Sequence, residues 1–297
     1  MSTGRAGHAA RSTVRPHSET SRRTPLRTFL TTVDGVAIDS VYEPGAVVYD
    51  TSRPPAGDLV FVVAHGFTGD VDKPHVRRVA RALARYGAVV TFSFRGHGAS
   101  GGRSTVGDRE VLDMAAAVRW ARGQGHARVV TVGFSMGGSV ALRHAALHAP
   151  DAPDAPDAQR EEDAHAGAHT DAVVSVSAPA RWYYRGTAPM RRVHWLVTRP
   201  EGRFVSRYGF RTRIHHRDWN PVPLSPVEAV PGIAPTPLLI VHGDRDGYFP
   251  VDHPRMLAAA AAGHAELWLE PGMGHAEHAA TDDLLARIGR WAVGQGG

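Results

Sequence analysis

Short apolar runs alternate with segments of helical periodicity along most of this chain. Six runs rich in β-branched residues occupy residues 59–66, 88–94, 128–134, 172–178, 237–243 and 265–272. Their near-continuous hydrophobicity is typical of parallel strands that are covered on both faces. Between them, apolar residues recur every three to four positions, at residues 76–83, 111–118 and 284–291. The alternation predicts an α/β fold, in which a mostly parallel, doubly wound sheet carries helices on both faces.

A β-hairpin is predicted before the first of these runs. Residues 28–44 have a strand-like composition on either side of Asp34 and Gly35, a pair that favours a tight turn. A chain of 297 residues is long enough to bury a sizeable core. We predict that residues 28–297 form one domain.

The positive charge of the chain is concentrated near its N-terminus. Residues 1–27 contain six arginines and the single acid Glu19, which accounts for the whole formal net charge of +5. The remainder is nearly neutral, so we expect no nucleic-acid partner. Arg22 and Arg23 suggest an export signal, but no apolar segment follows them. We therefore predict that residues 1–27 are a disordered basic tail and that the protein is cytoplasmic.

Two segments interrupt the alternation of strands and helices. Residues 150–170 are a low-complexity Asp-Ala-Pro repeat, which predicts a surface loop because it offers little to pack. Residues 180–230 are irregular, aromatic and rich in arginine, and they are too long for an ordinary connection. This second segment is predicted to form a cap over the sheet. No run approaches the ~18 apolar residues that a membrane span needs, so we expect no integral membrane association.

A serine lies between glycines where one predicted strand ends. Residues 133–137 read GFSMG, a G-x-S-x-G sequence in a strand-turn-helix setting. Such a turn projects the serine hydroxyl above the sheet, and the glycines let the strand and helix approach closely. Ser135 is a poor nucleophile unless a base takes its proton. Taken alone, the motif could equally be a glycine-rich turn with an incidental serine.

Candidate acid and base residues follow two later strands. Residues 242–247 read HGDRDG, and residues 272–275 read GMGH. Ligands on open α/β sheets bind at the carboxyl ends of the strands, so these segments are expected to meet Ser135. The resulting chain order is serine, aspartate, histidine.

With these three motifs, residues 30–295 resemble the α/β-hydrolase superfamily, particularly its short-cap esterase, monoacylglycerol-lipase and serine-aminopeptidase-like branches. The resemblance implies the α/β-hydrolase fold with a Ser-His-Asp triad. It assigns the acid to Asp246, the last residue of H-G-x-x-D, and leaves Asp244 as a turn residue. It assigns the base to His275 and leaves His278 as an exposed helix residue. His275 would take the proton of Ser135 while Asp246 orients the imidazole.

The resemblance also implies an oxyanion hole made of two backbone N–H groups. One is the amide of Met136, directly after the nucleophile. The other is the amide of Phe67, because residues 65–69 match the family's H-G-x-x-G sequence. His65 is then interpreted as a packing residue rather than a catalytic one.

Neither a cofactor nor a metal is expected. Residues 96–101 match G-x-G-x-x-G, but loop-like residues follow where a dinucleotide site needs a helix. This segment instead resembles the R-G-x-G-x-S loop of the same hydrolases, with Arg95 as a structural residue. The chain has eighteen histidines but no H-E-x-x-H or comparable pair, and it has no cysteine to hold a metal.

The cap carries the only indication of the substrate. Trp182, Tyr183 and Trp219 are candidate substrate-binding residues, since aromatic walls suit an acyl or aryl group. Residues 181–219 also contain ten arginines against Glu201 and Asp218. One or two of these arginines could meet an anionic group of the substrate, or they could merely solvate the surface.

The sequence thus predicts a serine hydrolase that cleaves a carboxylic ester of a small molecule through an acyl-enzyme. An aminopeptidase or amidase with the same fold is the nearest enzymatic alternative. A non-catalytic binding protein with a hydrolase fold is the alternative of another class.

Overall fold

Eight strands form a single sheet in the computed structural model, which describes residues 24–45, 58–149 and 167–295. The strands are β1 Leu26–Thr31, β2 Ala37–Glu43, β3 Leu59–Ala64, β4 Ala88–Phe92, β5 Arg128–Phe134, β6 Ala172–Val176, β7 Leu238–Gly243 and β8 Ala265–Glu270. Their order across the sheet is β1-β2-β4-β3-β5-β6-β7-β8. β1 and β2 pair antiparallel, and β3 to β8 are parallel. The predicted strands and fold class are confirmed.

Helices cover both faces of the sheet. They are α1 Pro74–Leu83, α2 Glu110–Gly123, α3 Met136–Leu147, α4 Ala188–Thr198, α5 Pro200–Gly209, α6 Pro226–Ala229, α7 Asp252–Ala260, α8 Ala276–Ala279 and α9 Asp282–Gly294, with a 3₁₀ helix at Val230–Ile233. One core cluster joins α2, α3 and α7 to alternate strand residues such as Val60 and Val62. A second joins α1 and α9 to Phe61 and Val63. Since neighbouring residues of β3 face opposite clusters, the strand is apolar throughout.

The N-terminal hairpin begins earlier than the sequence predicted. Its turn is closed by the Gly35 amide, which donates to the Thr32 carbonyl at 2.9 Å. Leu26 and Arg27 belong to β1, and the Arg27 guanidinium lies 2.6 Å from Asp39 and 3.1 Å from Asp72. The predicted tail boundary at residue 27 is therefore corrected to lie before β1. Residues 1–23 of the predicted tail are outside the described residues.

The segment between β6 and β7 contains the predicted cap. α4 and α5, here together called the cap hairpin, are consecutive helices that meet at Arg199 and contact each other, and Gly202 approaches the backbone carbonyl of Trp195 too closely for a side chain. Arg203 Nη1 donates to the Val197 and Thr198 carbonyls at 3.3 and 3.0 Å, which holds the two helices together. By contrast, α6 and the 3₁₀ helix pack on α3. The last residues of the predicted 180–230 cap thus belong to the main helical layer.

Only residues 167–170 of the predicted loop at 150–170 are among the described residues. Residues 150–166 lie outside the described residues, whereas Ala168 and Thr170 are buried beside β6. Among the described residues, no helix combines the length and the apolar character needed to cross a bilayer. The cytoplasmic location stays a prediction.

Candidate active site

Ser135 occupies the sharp turn between β5 and α3. Its backbone angles are φ 51° and ψ −114°, a conformation that is costly for any residue with a side chain. A side chain on Gly133 would collide with the Gly137 carbonyl, and one on Gly137 would collide with the Ala64 carbonyl. The flanking glycines are therefore required by the close approach of strand and helix.

The hydroxyl of Ser135 meets a histidine and an aspartate from the loops after β8 and β7. His275 Nε2 lies 2.9 Å from Ser135 Oγ, and His275 Nδ1 lies 2.8 Å from Asp246 Oδ2. Because an ionised carboxylate only accepts hydrogen bonds, Nδ1 carries the proton and Nε2 presents its lone pair to the serine. The arrangement can therefore move the serine proton to His275 Nε2.

Asp246 is held as an ionised carboxylate. Its Oδ1 accepts hydrogen bonds from the backbone amides of Tyr248 and Phe249, at 2.8 and 3.1 Å. Burial acts to raise the pKa of Asp246, but the hydrogen bonds and the charge interaction with His275 outweigh it, so the net pKa is lowered. The acid is thus charged wherever the imidazole can act as a base.

The two alternative residues lie away from this constellation. Asp244 is exposed and accepts the Gly272 amide at 2.6 Å, which closes the turn after β8. His278 packs its ring against His75, with the centroids 3.9 Å apart. The structure therefore brings together Ser135, Asp246 and His275, and it does not bring in Asp244 or His278.

Met136 and Phe67 are the two residues whose backbone N–H groups were predicted to form an oxyanion hole. Met136 is the first residue of α3, so its amide has no partner within the helix. Phe67 lies in the loop after β3, which is tightened by a hydrogen bond from the Gly69 amide to the Gly66 carbonyl at 3.0 Å. Met136 and Phe67 line the same cavity as Ser135.

His65 is buried beneath this loop and has a structural place. Its Nδ1 lies 2.7 Å from the Gly66 carbonyl, and its Nε2 accepts the Phe94 amide at 3.1 Å. These partners define a neutral ring with the proton on Nδ1. Burial lowers the pKa of His65 well below its ordinary value, which keeps the ring neutral.

Glu277 is a site residue that the sequence analysis missed. Its Oε1 accepts the Gly66 amide at 3.0 Å, and its side chain is 5% exposed. The same oxygen lies 3.8 Å from His75 Nε2. Glu277 thus links the segment that carries His275 to the loop that carries Phe67. Its only sequence signal is its position two residues after the predicted base.

Glu110 is a second buried carboxylate that the sequence analysis missed. It accepts hydrogen bonds from Ser104 Oγ at 2.7 Å and from the amides of Thr105 and Gly107 at 2.8 and 2.9 Å. The Thr105 carbonyl in turn accepts from Trp219 Nε1 at 2.7 Å. Glu110 therefore fixes the loop that Trp219 of the cap contacts.

A cavity of about 810 Å³ opens above Ser135. Trp182, Tyr183 and Trp219, the candidate substrate-binding residues, all line it. Trp219 is the centre of this aromatic group, with ring centroids 5.1 Å from Trp182 and 5.5 Å from Tyr183. Three of the ten cap arginines also line the cavity: Arg181, Arg185 and Arg217.

The glycine-rich segment at 96–101 forms a loop that is tied to the hairpin. The Gly101 amide donates to the Ala37 carbonyl at 2.7 Å. Arg95 is buried between Asp113 and Asp34, at 2.7 and 2.8 Å, which agrees with its predicted structural role. Within the described ranges, no group of three or more His, Asp or Glu side chains is arranged to hold a metal ion.

His253 contacts the first residues of the predicted cap. Its Nδ1 accepts the Ala180 amide at 2.9 Å, and its ring meets Tyr184 edge-on at a centroid distance of 4.5 Å. Burial lowers the pKa of His253 to about 4. The ring is therefore neutral in the folded protein at pH values where an unfolded chain would protonate it.

Protonation of the unfolded state at His253 gives a testable pH dependence. Between about pH 6.5 and 4 the unfolded chain binds more protons at this position than the folded one, so the free energy of unfolding falls as the pH decreases. His253→Gln is expected to reduce this slope by up to about 1.4 kcal/mol per pH unit. Denaturant titrations of both proteins across this range measure it, and parallel slopes would contradict the assignment.

A strand-to-helix turn that bears a serine, with an acid and a histidine after later strands of a mostly parallel sheet, is the arrangement of α/β hydrolases. The sequence model of the alpha/beta hydrolase family matches residues 59–288. The chain belongs to this family.

Individual proteins that are similar to this chain share low sequence identity with it. The chain is 26% identical to a monoacylglycerol lipase of Mycolicibacterium smegmatis over 252 residues, which covers 77% of this chain and 85% of that protein. An esterase of Pyrococcus furiosus superposes with a TM-score of 0.63 at 22% identity, covering 90% of this chain and 91% of the other. A serine hydrolase without a lid from Xanthomonas campestris superposes with a TM-score of 0.55 at 18% identity, covering 91% and 93%. The last two similarities concern the fold.

Proposed function

We propose that this protein is a serine hydrolase that cleaves carboxylic esters of small molecules through an acyl-enzyme. The observation that carries the proposal is the hydrogen-bonded series from Ser135 Oγ through His275 to Asp246, at 2.9 and 2.8 Å, which opens into a cavity. Membership of the alpha/beta hydrolase family and the similarity to a monoacylglycerol lipase support it.

In the first half of the reaction, Ser135 Oγ attacks the ester carbonyl carbon while its proton passes to His275 Nε2. The negative charge that develops on the carbonyl oxygen is met by the amides of Met136 and Phe67. The bond to the alcohol oxygen then breaks, and His275 donates its proton to the departing alcohol. Asp246 holds the imidazole orientation and stabilises the imidazolium throughout.

In the second half, water replaces the alcohol. His275 takes a proton from the water, whose oxygen attacks the acyl carbon, and the proton returns to Ser135 as the carboxylic acid leaves. The acyl group is expected to lie against the aromatic wall formed by Trp182, Tyr183 and Trp219, because these rings line the cavity that contains the serine.

A series of p-nitrophenyl esters from acetate to dodecanoate tests the proposal, alongside p-nitroanilides of amino acids. We expect ester hydrolysis, with a chain-length optimum that reports the depth of the cavity. Hydrolysis of anilides in preference to esters would favour the aminopeptidase or amidase alternative. A failure to react with either substrate class or with a fluorophosphonate probe would favour the non-catalytic alternative.

Glu277 offers a test of how the oxyanion loop is held. Glu277→Ala removes the acceptor of the Gly66 amide, so kcat is expected to fall by about ten- to a hundredfold because the adjacent Phe67 amide loses its fixed position. KM should change little. Glu277→Gln keeps a carbonyl acceptor and should retain most of the activity. If both variants lost kcat equally and kept their thermal stability, the effect would instead come from the lost charge of Glu277.

A further inference from the structure

Three aromatic side chains of the cap hairpin are exposed to solvent. Phe204 and Tyr208 are each 65% exposed, and Trp195 is 45% exposed. On α5, Phe204 and Tyr208 are one turn apart and lie on the side opposite the buried Gly202 and Ser206. Their ring centroids are 4.6 Å apart. Clustered exposed side chains of this size are typical of an interaction surface.

Exposed arginines lie on the same two helices as these aromatic rings. Arg192, Arg199 and Arg207 are exposed on the same hairpin, and the Arg207 guanidinium lies 5.4 Å from the centre of the Tyr208 ring. Of the ten arginines in residues 181–219, only Arg181 forms an ion pair with any residue that the structure describes. The cap hairpin, with five arginines and the single acid Glu201, therefore presents a positive surface on which no arginine is ion-paired with a described residue. The six residues Trp195, Phe204, Tyr208, Arg192, Arg199 and Arg207 are called the outer face.

The outer face is distinct from the wall of the cavity. Met190, Val193 and Val197 of α4 line the cavity, whereas Trp195, Phe204 and Tyr208 do not. None of the described residues of α4 is fully buried. One side of α4 thus contacts the cavity, and the opposite side exposes Trp195, Arg191 and Arg192 to solvent.

We propose that the outer face docks this protein on an anionic lipid surface. Arginine guanidinium groups match the phosphates of lipid headgroups, and aromatic rings suit the boundary between headgroups and acyl chains. A basic helical surface with exposed aromatic residues is typical of segments that lie in this boundary. A second copy of the chain is a poorer occupant, because two such faces would bring like charges together. The proposal goes beyond ester hydrolysis and does not depend on it.

Vesicle sedimentation of the full chain tests the proposal. Phosphatidylcholine vesicles are compared with vesicles in which about 30 mol % of the lipid is phosphatidylglycerol, an anionic lipid. We expect at least about tenfold tighter binding to the anionic vesicles at low salt, and weaker binding as salt screens the charges. Equal binding to both vesicle types, or none, would overturn the proposal.

Matched variants separate the outer face from general charge. Three arginines are replaced by glutamine on the outer face, Arg192→Gln, Arg199→Gln and Arg207→Gln, and in a control with equal charge loss, Arg245→Gln, Arg255→Gln and Arg290→Gln. The first set is expected to weaken binding to anionic vesicles at least about tenfold and the control far less. The basic residues 1–23 are present in both proteins. Equal losses would refute docking through the cap.

Aromatic variants test insertion and the competing occupant. Phe204→Ser with Tyr208→Ser is expected to weaken vesicle binding severalfold, while Leu26→Ser with Phe29→Ser, at exposed positions of β1, should not. Hydrolysis of a water-soluble ester should be unchanged in the outer-face arginine variant and in the aromatic variants, so loss of docking is distinguishable from loss of catalysis. A dimer in sedimentation velocity that the Phe204 and Tyr208 variant dissociates would assign the outer face to a second copy instead.

Discussion

Ser135→Ala is expected to lower kcat/KM for a p-nitrophenyl ester by at least about 10³-fold, because the acyl-enzyme can no longer form. The cavity and the backbone amides of Met136 and Phe67 remain, so the residual rate should stay above that of the uncatalysed reaction. The same variant should lose all labelling by a fluorophosphonate probe. Steady-state kinetics and gel fluorescence measure the two effects independently.

A matched control for this variant is Ser139→Ala, one turn further along α3. Ser139 is buried and its Oγ lies 3.5 Å from the Ser135 carbonyl, at the limit of a hydrogen bond. Its loss should leave labelling intact and change the rate by only a few fold. If Ser135→Ala kept its activity and its labelling, the nucleophile would have to be another residue and the proposed mechanism would be wrong.

Asp246→Asn is expected to lower kcat by about 10³- to 10⁴-fold, since an amide can stabilise the wrong tautomer of His275 and offers no charge to the imidazolium. Asp244 provides the control within the same loop. Asp244→Asn keeps an oxygen that can accept the Gly272 amide, so its activity should remain close to that of the unmodified protein.

The pair of aspartate variants discriminates between the two candidate acids directly. The distance of 2.8 Å from Asp246 Oδ2 to His275 Nδ1 predicts a large loss at Asp246 and a small loss at Asp244. A large loss at Asp244 with a small one at Asp246 would reverse the assignment. Thermal unfolding of both variants guards against a loss that comes from misfolding.

The fold was predictable from sequence because its determinants are local. Each buried strand is a short continuous apolar run, and each is separated from the next by a helical period or a loop. Ser135, Asp246 and His275 were identifiable because each belongs to a motif at the end of a strand. The carboxyl ends of parallel strands meet at one edge of the sheet, so the motifs implied their own proximity.

The positioning residues were not predictable in this way. Glu277 and Glu110 are single acids in helical segments, and nothing in a local pattern distinguishes them from solvated surface residues. Their importance follows from contacts with the loops at Gly66 and Thr105, and the Glu277 contact joins positions that are 211 residues apart. The N-terminal boundary was misplaced for a related reason, since Arg27 acquires its partners Asp39 and Asp72 only in the folded sheet.

The contacts between the cap and the rest of the protein limit how the substrate range of such a chain could change in evolution. The chain enters and leaves the cap between β6 and β7, so insertions there need not disturb the strand ends that carry Ser135, Asp246 and His275. However, short backbone bridges join His97 to Thr212 and Ser104 to Ile214. Trp219 of the aromatic wall also bonds to this loop through the Thr105 carbonyl. Changes at Trp182 and Tyr183 are therefore less constrained than changes at Trp219, which must keep a partner for the 97–105 loop.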